Sequence, residues 1–202
     1  MTINCNLKKK KKKNILFNLP SFALNTMSVK AFNRLYYKKA PDGISKQKKD
    51  IDTFFYPLDA IINWNRIYGK AGFIQYQFIL PKKTSYEGLE RIISMISASG
   101  KGSFLAVLKL FGKANGNYLS FPIEGYSLAL DFKITKGLFE LLNNLDKIVV
   151  KYEGRIYLAK DARVSKKIFE KGYPQIEKFR AFRKKHNMDK KFQSLQSKRL
   201  GI

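Results

Sequence analysis

Gly72-Phe73-Ile74-Gln75-Tyr76-Gln77-Phe78-Ile79-Leu80-Pro81 is the stretch whose reading decides the fold. It is rich in aromatic and β-branched residues and ends at a proline, which predicts a strand. Thr84-Ser85-Tyr86-Glu87 then fits a capping box, and Leu89, Ile92, Ile93 and Ile96 follow at helical spacing until Gly100 closes the helix. Ser103 to Phe111 reads as a second strand, Gly112 to Gly116 as a turn region and Tyr126 to Phe132 as a third strand. Thr135 is positioned to cap a helix carrying Leu138, Phe139, Leu142, Leu145, Ile148 and Val149. Gly154 breaks that helix, and Arg155 to Leu158 is a short fourth strand. The order β-α-β-β-α-β predicts an α+β fold of ferredoxin-like type, an antiparallel sheet with its helices on one face. Beyond residue 160 the chain is basic and reads as helical, with one helix over 174–185 behind Pro174 and a last one over 189–199.

Side chains alternate along a strand, so the two faces of the sheet separate in the sequence. Ile74, Tyr76 and Phe78, with Ala106, Leu108, Leu110, Leu128 and Leu130, form the set expected to face the helices. The other face presents Gln75, Gln77, Lys109, Ser127, Ala129 and Asp131, flanked by Leu105, Val107 and Phe111. Lysine and glutamine within central strands need partners or solvent. A mostly apolar surface with a few convergent polar groups is how small-molecule sites look, although an ordinary solvated sheet face would share the pattern. Lys160, at the end of Tyr157-Leu158-Ala159-Lys160-Asp161, can hold an anion; read from that segment alone, it is a surface lysine paired with Asp161.

The flanks differ from this centre. The formal net charge is +25, of which residues 1–50 carry +11, residues 160–202 carry +10 and the 109 residues between only +4. Basicity confined to the ends weakens a nucleic-acid reading, which would place it on the folded domain with exposed aromatics. It suits an acidic partner or an anionic lipid surface equally well. Lys8 to Lys13 reads as a solvated tail. Val29, Phe32, Leu35 and Tyr36 share one face of a helix over 27–40, ended by Pro41-Asp42-Gly43, and 42–52 reads as a loop. The segment 14–24 is too broken by Asn14, Asn18 and Pro20 for a secretion signal. A single cysteine, Cys5, excludes an internal disulfide framework, and a single histidine, His186, excludes a multi-histidine metal site or a histidine triad. Neither G-x-G-x-x-G nor a Walker A motif occurs.

Several blocks resemble, in order, the decaprenylphosphoryl-ribose 2′-oxidase family of FAD-linked oxidases. They are Tyr56-Pro57-Leu58-Asp59, Trp64-Asn65-Arg66-Ile67-Tyr68-Gly69, Gly72 to Phe78, Lys109-Leu110-Phe111-Gly112, Leu119-Ser120-Phe121-Pro122, Leu130-Asp131-Phe132 and Gly154 to Asp161. The resemblance runs from about Pro20 to Leu200. It implies an oxidoreductase in which residues 51–157, behind a basic tail and helix over 1–50, form the substrate domain and 158–202 complete an FAD-binding domain.

The implied activity oxidises the 2′-hydroxyl of a polyprenyl-phosphate-linked ribose, a precursor of cell-wall arabinan, passing hydride to FAD, with a partner reductase completing the epimerisation. By position Lys160 would sit beside the flavin with Tyr157. Gln75, Gln77 and Lys109 would line the substrate pocket, shaped by Leu58, Arg66, Leu105, Val107 and Phe111. Ala129 and Ser127 stand where mycobacterial members carry cysteine and asparagine. No residue supplies a pyrophosphate loop, so the chain is expected to need a flavin-domain chain and to be inactive alone, cytoplasmic and at most peripheral to a membrane. The competing expectations are a basic nucleic-acid-binding module and an inactive remnant of a truncated gene.

Overall fold

The computed structural model describes residues 12–20, 23–39, 41–48, 50–103 and 105–202. Cys5 and the first four lysines of the run Lys8 to Lys13 lie outside them. The chain forms two compact units, Met1–Gly72 and Phe73–Ile202.

In the first unit β1 (Lys13–Asn14) pairs in parallel with β2 (Ile61–Ile62). Between them lie α1 (Thr26–Tyr37) and a single turn, α2 (Ile51–Phe55), which begins inside the segment read as a loop. Asn25 and Ser28 cap α1 reciprocally, each backbone N–H donating to the other's side chain at 2.9 Å. Of the apolar stripe read from the sequence, Val29 is buried, while Phe32, Leu35 and Tyr36 are exposed.

The second unit contains β3 (Phe73–Pro81), α3 (Ser85–Ala98), β4 (Ala106–Phe111), β5 (Gly125–Lys133), α4 (Leu138–Lys151) and β6 (Arg155–Ile156). The sheet order is β4-β5-β3-β6, antiparallel at every pairing. This is the split β-α-β arrangement expected from the element order. Tyr76, Phe78 and Leu80 of β3 and Leu128, Leu130 and Phe132 of β5 meet Ile92 of α3 and Leu138, Leu142, Leu145 and Val149 of α4. Each such side chain contributes roughly 1.5–3 kcal/mol on burial, which is why the alternation in β3 and the 3.6-residue spacing in α4 dictate which faces meet.

Three local expectations are corrected. The Thr84-Glu87 capping box does not form. The Thr84 hydroxyl donates to the Tyr152 carbonyl at 2.9 Å, and the Tyr152 hydroxyl donates to Glu87 at 2.5 Å. An orphan carbonyl at the end of α4 needs a donor, and a tertiary partner takes the groups that a local cap would have used. Thr135 does not cap α4 either; Gly137 does, at φ 77°, and the Thr135 hydroxyl accepts from Lys101 at 3.3 Å. Leu108 and Leu110 share the helix-side register of Leu128 and Tyr126 but are 56% and 62% exposed, because β4 is an edge strand and contributes nothing to the core.

Beyond β6 the chain makes a 3-10 turn, Leu158–Lys160, then α5 (Lys166–Gly172), α6 (Ile176–Lys185), α7 (Met188–Lys191) and α8 (Leu195–Leu200). α5 falls within the stretch beyond residue 160 read as helical without bounds of its own, and the single helix over 189–199 is instead two, because Ser194 caps a new start at α8. Val164, Phe169, Tyr173, Ile176 and Leu200 join the same core as the sheet.

Gly154 joins α4 to β6 where the backbones approach closely. A Cβ there would lie 2.4 Å from the Ile79 carbonyl oxygen and 2.6 Å from Leu80 Cδ2. Gly154→Ala is expected to lower stability by about 1–3 kcal/mol, read as a shift of the urea midpoint with an unchanged slope.

Candidate functional site

The pairing register assembles the sheet face away from the helices. Gln77 of β3 aligns with Ala129 of β5 and Val107 of β4, and the next row holds Ile79, Ser127 and Lys109. Arg155 of β6 extends that second row, opposite Ile79. Gln77 and Ser127 are 9% and 1% exposed, and the Gln77 amide donates to the Ser127 hydroxyl at 3.1 Å. A buried amide and hydroxyl satisfying each other keep polar groups inside the sheet without the cost of an orphaned donor. Ala129, Val107, Leu105 and Phe111 are half-buried, and Lys109 is exposed on the edge strand. Asp131, opposite Gln75, is buried.

Phe121 covers part of this face. Its ring packs at 5.9 Å on Phe111 and at 4.4 Å on Tyr157, and the Tyr157 N–H donates to the Gln77 carbonyl at 2.8 Å. Arg155 reaches over to the same loop, donating to the Ser120 carbonyl at 2.7 Å, with its guanidinium 5.3 Å from the Tyr173 ring. Burial pushes the Arg155 guanidinium below its ordinary value.

A narrow cleft of about 10 Å³ brings Gln75 and Gln77 to Lys160, with Ile74, Tyr76, Ile156, Asp161, Ala162 and Arg163 as its other walls. That is room for about one water. Lys160 is exposed at the end of the 3-10 turn, and its ammonium has no partner among the described residues. The pairing with Asp161 read from the sequence does not form. The Asp161 carboxylate accepts instead from the Arg163 and Val164 N–H groups, at 2.9 and 2.7 Å, and from Arg199 at 2.8 Å. Burial would raise this carboxyl, but the two backbone donors and the Arg199 guanidinium outweigh it and hold it below its ordinary value.

Two of the candidates belong to the first unit. Arg66 lies in the first unit, in the 3-10 turn Trp64–Tyr68, and its guanidinium donates to the Ile15 and Leu16 carbonyls at 3.0 and 2.6 Å. Leu58 lies in the 3-10 turn Pro57–Ala60 of the same unit. A wider groove of about 610 Å³ is lined by Tyr118, Ser120, Phe179 and Phe182. Its walls hold no carboxylate, amine, guanidinium or imidazole, so the small cleft at Lys160 is the better candidate for chemistry.

The residues that the sequence reading missed lie behind the cleft. Asp146 of α4 is 2% exposed and makes two contacts with Arg163, at 2.6 and 2.8 Å, while the Tyr76 hydroxyl donates to it at 3.0 Å. The Arg163 guanidinium also lies 5.7 Å from the Tyr76 ring. Burial pushes the Asp146 carboxyl up, and Arg163 and Tyr76 oppose this without cancelling it. Burial and the Asp146 carboxylate together push the Tyr76 hydroxyl well above the usual tyrosine range. One signal was present: Asp146 falls on the stripe of Leu142, Leu145 and Val149, a core position that a carboxylate occupies only with a partner.

Among the described residues no group of histidine, cysteine, aspartate and glutamate could hold a metal ion, and no helix is long and apolar enough to cross a membrane. No family model matches the chain. The motif resemblance to the decaprenylphosphoryl-ribose oxidases is borne out by comparison with curated proteins. Over 184 residues, 91% of its length, the chain is 39% identical to the decaprenylphosphoryl-beta-D-ribose oxidase of Mycolicibacterium smegmatis. It spans 39% of that relative's length. A second relative, described as an uncharacterized protein in the mprA 5′ region of Streptomyces coelicolor, is 32% identical over 115 residues, covering 56% of this chain and 31% of its own length.

Arg163→Ala leaves the Asp146 carboxylate buried and unpaired. It is expected to lower stability by about 3–5 kcal/mol at neutral pH, measured by urea unfolding. The Asp146 carboxyl is raised in the folded state, so the folded form gains by taking up a proton. The deficit should therefore shrink as the pH falls toward the ordinary aspartate value of about 3.9. The paired change Asp146→Leu with Arg163→Met should cost far less than either alone. A deficit that stays constant in acid would disprove this account.

Proposed function

We propose that this chain supplies the substrate-side portion of an FAD-dependent oxidoreductase that oxidises a sugar hydroxyl on a polyprenyl-phosphate carrier. The observation that carries the reading is Lys160. Its ammonium is exposed and without a partner among the described residues, at the mouth of a cleft whose walls include Gln75 and Gln77. Such a cation fits a place where negative charge develops, and in a site that excludes water its effect is larger than in solution.

Oxidation of a hydroxyl to a ketone removes a hydride and a proton, and the proton would leave to water on the side of the cleft where Lys160 is exposed. FAD, when bound beside the cleft, supplies the hydride acceptor. Lys160 would stabilise negative charge on the reduced ring or on the substrate oxygen. Gln77, held by Ser127, and Gln75 would orient the sugar, and Lys109 on the edge strand would receive its phosphate. Val107, Leu105, Phe111 and Ala129 would form the apolar floor. The smaller Ala129 and Ser127, where mycobacterial members have cysteine and asparagine, would widen that floor and change the sugars accepted. Tyr157, packed on Phe121, would fix the turn that carries Lys160. The basic ends suit an anionic membrane surface on which such a lipid-linked substrate resides.

The test is a chimera in which this chain replaces the matching segment of the M. smegmatis relative. It is expected to bind FAD and to oxidise a prenylphosphoryl ribose, and Lys160→Ala should lower kcat by roughly 10²-fold while the protein stays folded and flavin-loaded. A chimera that binds flavin yet turns over no prenylphosphoryl pentose would sink the proposed activity.

A further inference from the structure

Lys160 and Asp161 are adjacent in sequence, and an exposed ammonium beside a carboxylate would ordinarily pair with it. The last helix prevents this. Asp161 Oδ1 accepts from the Arg163 and Val164 N–H groups, and Oδ2 accepts from Arg199 at 2.8 Å and from Gln196 at 3.4 Å. A carboxylate offers about four acceptor sites, so four donors leave none for Lys160. The Asp161 side chain is 2% exposed, turned away from solvent toward α8.

The same helix holds the start of the Lys160 turn and the chain just beyond it. Gln196 donates to the Leu158 carbonyl at 2.7 Å, and Arg199 also donates to the Val164 carbonyl. α8 is itself anchored by Leu200, which is fully buried, and is started by the reciprocal Ser194–Ser197 cap. The charged or titratable groups in the walls of the cleft beside Lys160 are Tyr76, Asp161 and Arg163. Arg163 is committed to Asp146, so Asp161 is the one anion in those walls and Arg199 neutralises it.

We propose that Arg199 is a positioning residue for Lys160: by occupying the Asp161 carboxylate it holds the 158–161 turn in place and keeps the Lys160 ammonium unpaired and available to an anionic group. This rests on the charge-stabilising role given to Lys160 above, and it adds the device that keeps that charge from being quenched within the chain.

The test reads Lys160 directly, by the rate at which its amine is labelled by an acylating reagent at mildly alkaline pH. The product is quantified by peptide mass spectrometry against exposed Lys184 in the same sample. Arg199→Gln frees the carboxylate to hold the ammonium and should slow Lys160 labelling about threefold. Arg199→Lys, which can keep the pair, should leave the rate near wild type, and Arg199→Gln with Asp161→Asn should restore it. Asp161→Asn alone leaves Arg199 as an uncompensated cation nearby and should speed labelling; this arm decides if Arg199→Gln does not fold. An unchanged Lys160 rate in Arg199→Gln, or no recovery in the double variant, overturns the inference. A purely structural role for Arg199 would instead loosen the 158–161 turn and speed Lys160 labelling. If the labelling responds as expected but Lys160→Ala leaves chimera turnover unaltered, the clamp stands and the proposed role of Lys160 falls.

Discussion

A carboxylate in an apolar interior is tolerated only when a cation and further donors compensate the lost hydration. Asp146 is such a group, and the Lys160 side of the second unit is arranged around it. It sits on the buried stripe of α4, accepts from Tyr76 in the central strand and holds Arg163 by two contacts. Sheet, helix and the chain beyond the sheet therefore meet at one ion pair. The pair costs desolvation and is no strong source of net stability. Its consequence is geometric: Arg163 cannot leave without exposing a buried charge, so the turn that carries Lys160 cannot drift from the sheet.

Asp161 repeats the arrangement one step outward. Its carboxylate collects two backbone N–H groups and the Arg199 guanidinium, tying the turn to the last helix. The two carboxyls are shifted in opposite directions because their donors differ: burial dominates at Asp146, whereas backbone and guanidinium donors outweigh it at Asp161. Beside these anchors the Lys160 ammonium is left without a partner among the described residues. The C-terminal helices thus belong to the geometry of the site as well as to the core that Leu200 completes.

The relation to a sugar oxidase covers nearly all of this chain and 39% of the relative's length. The blocks that carry the resemblance coincide with structural joints. Gly154 lies where a Cβ would strike the neighbouring strand, Tyr157 donates to Gln77 and packs on Phe121, and Asp161 anchors α8. The motif around Lys160 is therefore accounted for as much by the need to hold a turn rigidly as by chemistry at the lysine itself.

By itself the sequence determined the element order, the split β-α-β topology and the division of β3 and β5 into a helix side and a polar side, because side-chain periodicity is a local property of each element. It also marked Gln77, Ser127 and Lys109 as one face, since strand alternation needs no knowledge of what lies across. Tertiary structure alone decided which groups were already spent. Thr84 and Glu87 are drawn to Tyr152 rather than to a local cap, Leu108 and Leu110 stay exposed because β4 is an edge, and Asp161 turns from its neighbour Lys160 toward Arg199, 38 residues away. A hydrogen-bonding group takes the partner that folding brings nearest, and spacing along the chain does not reveal which partner that is.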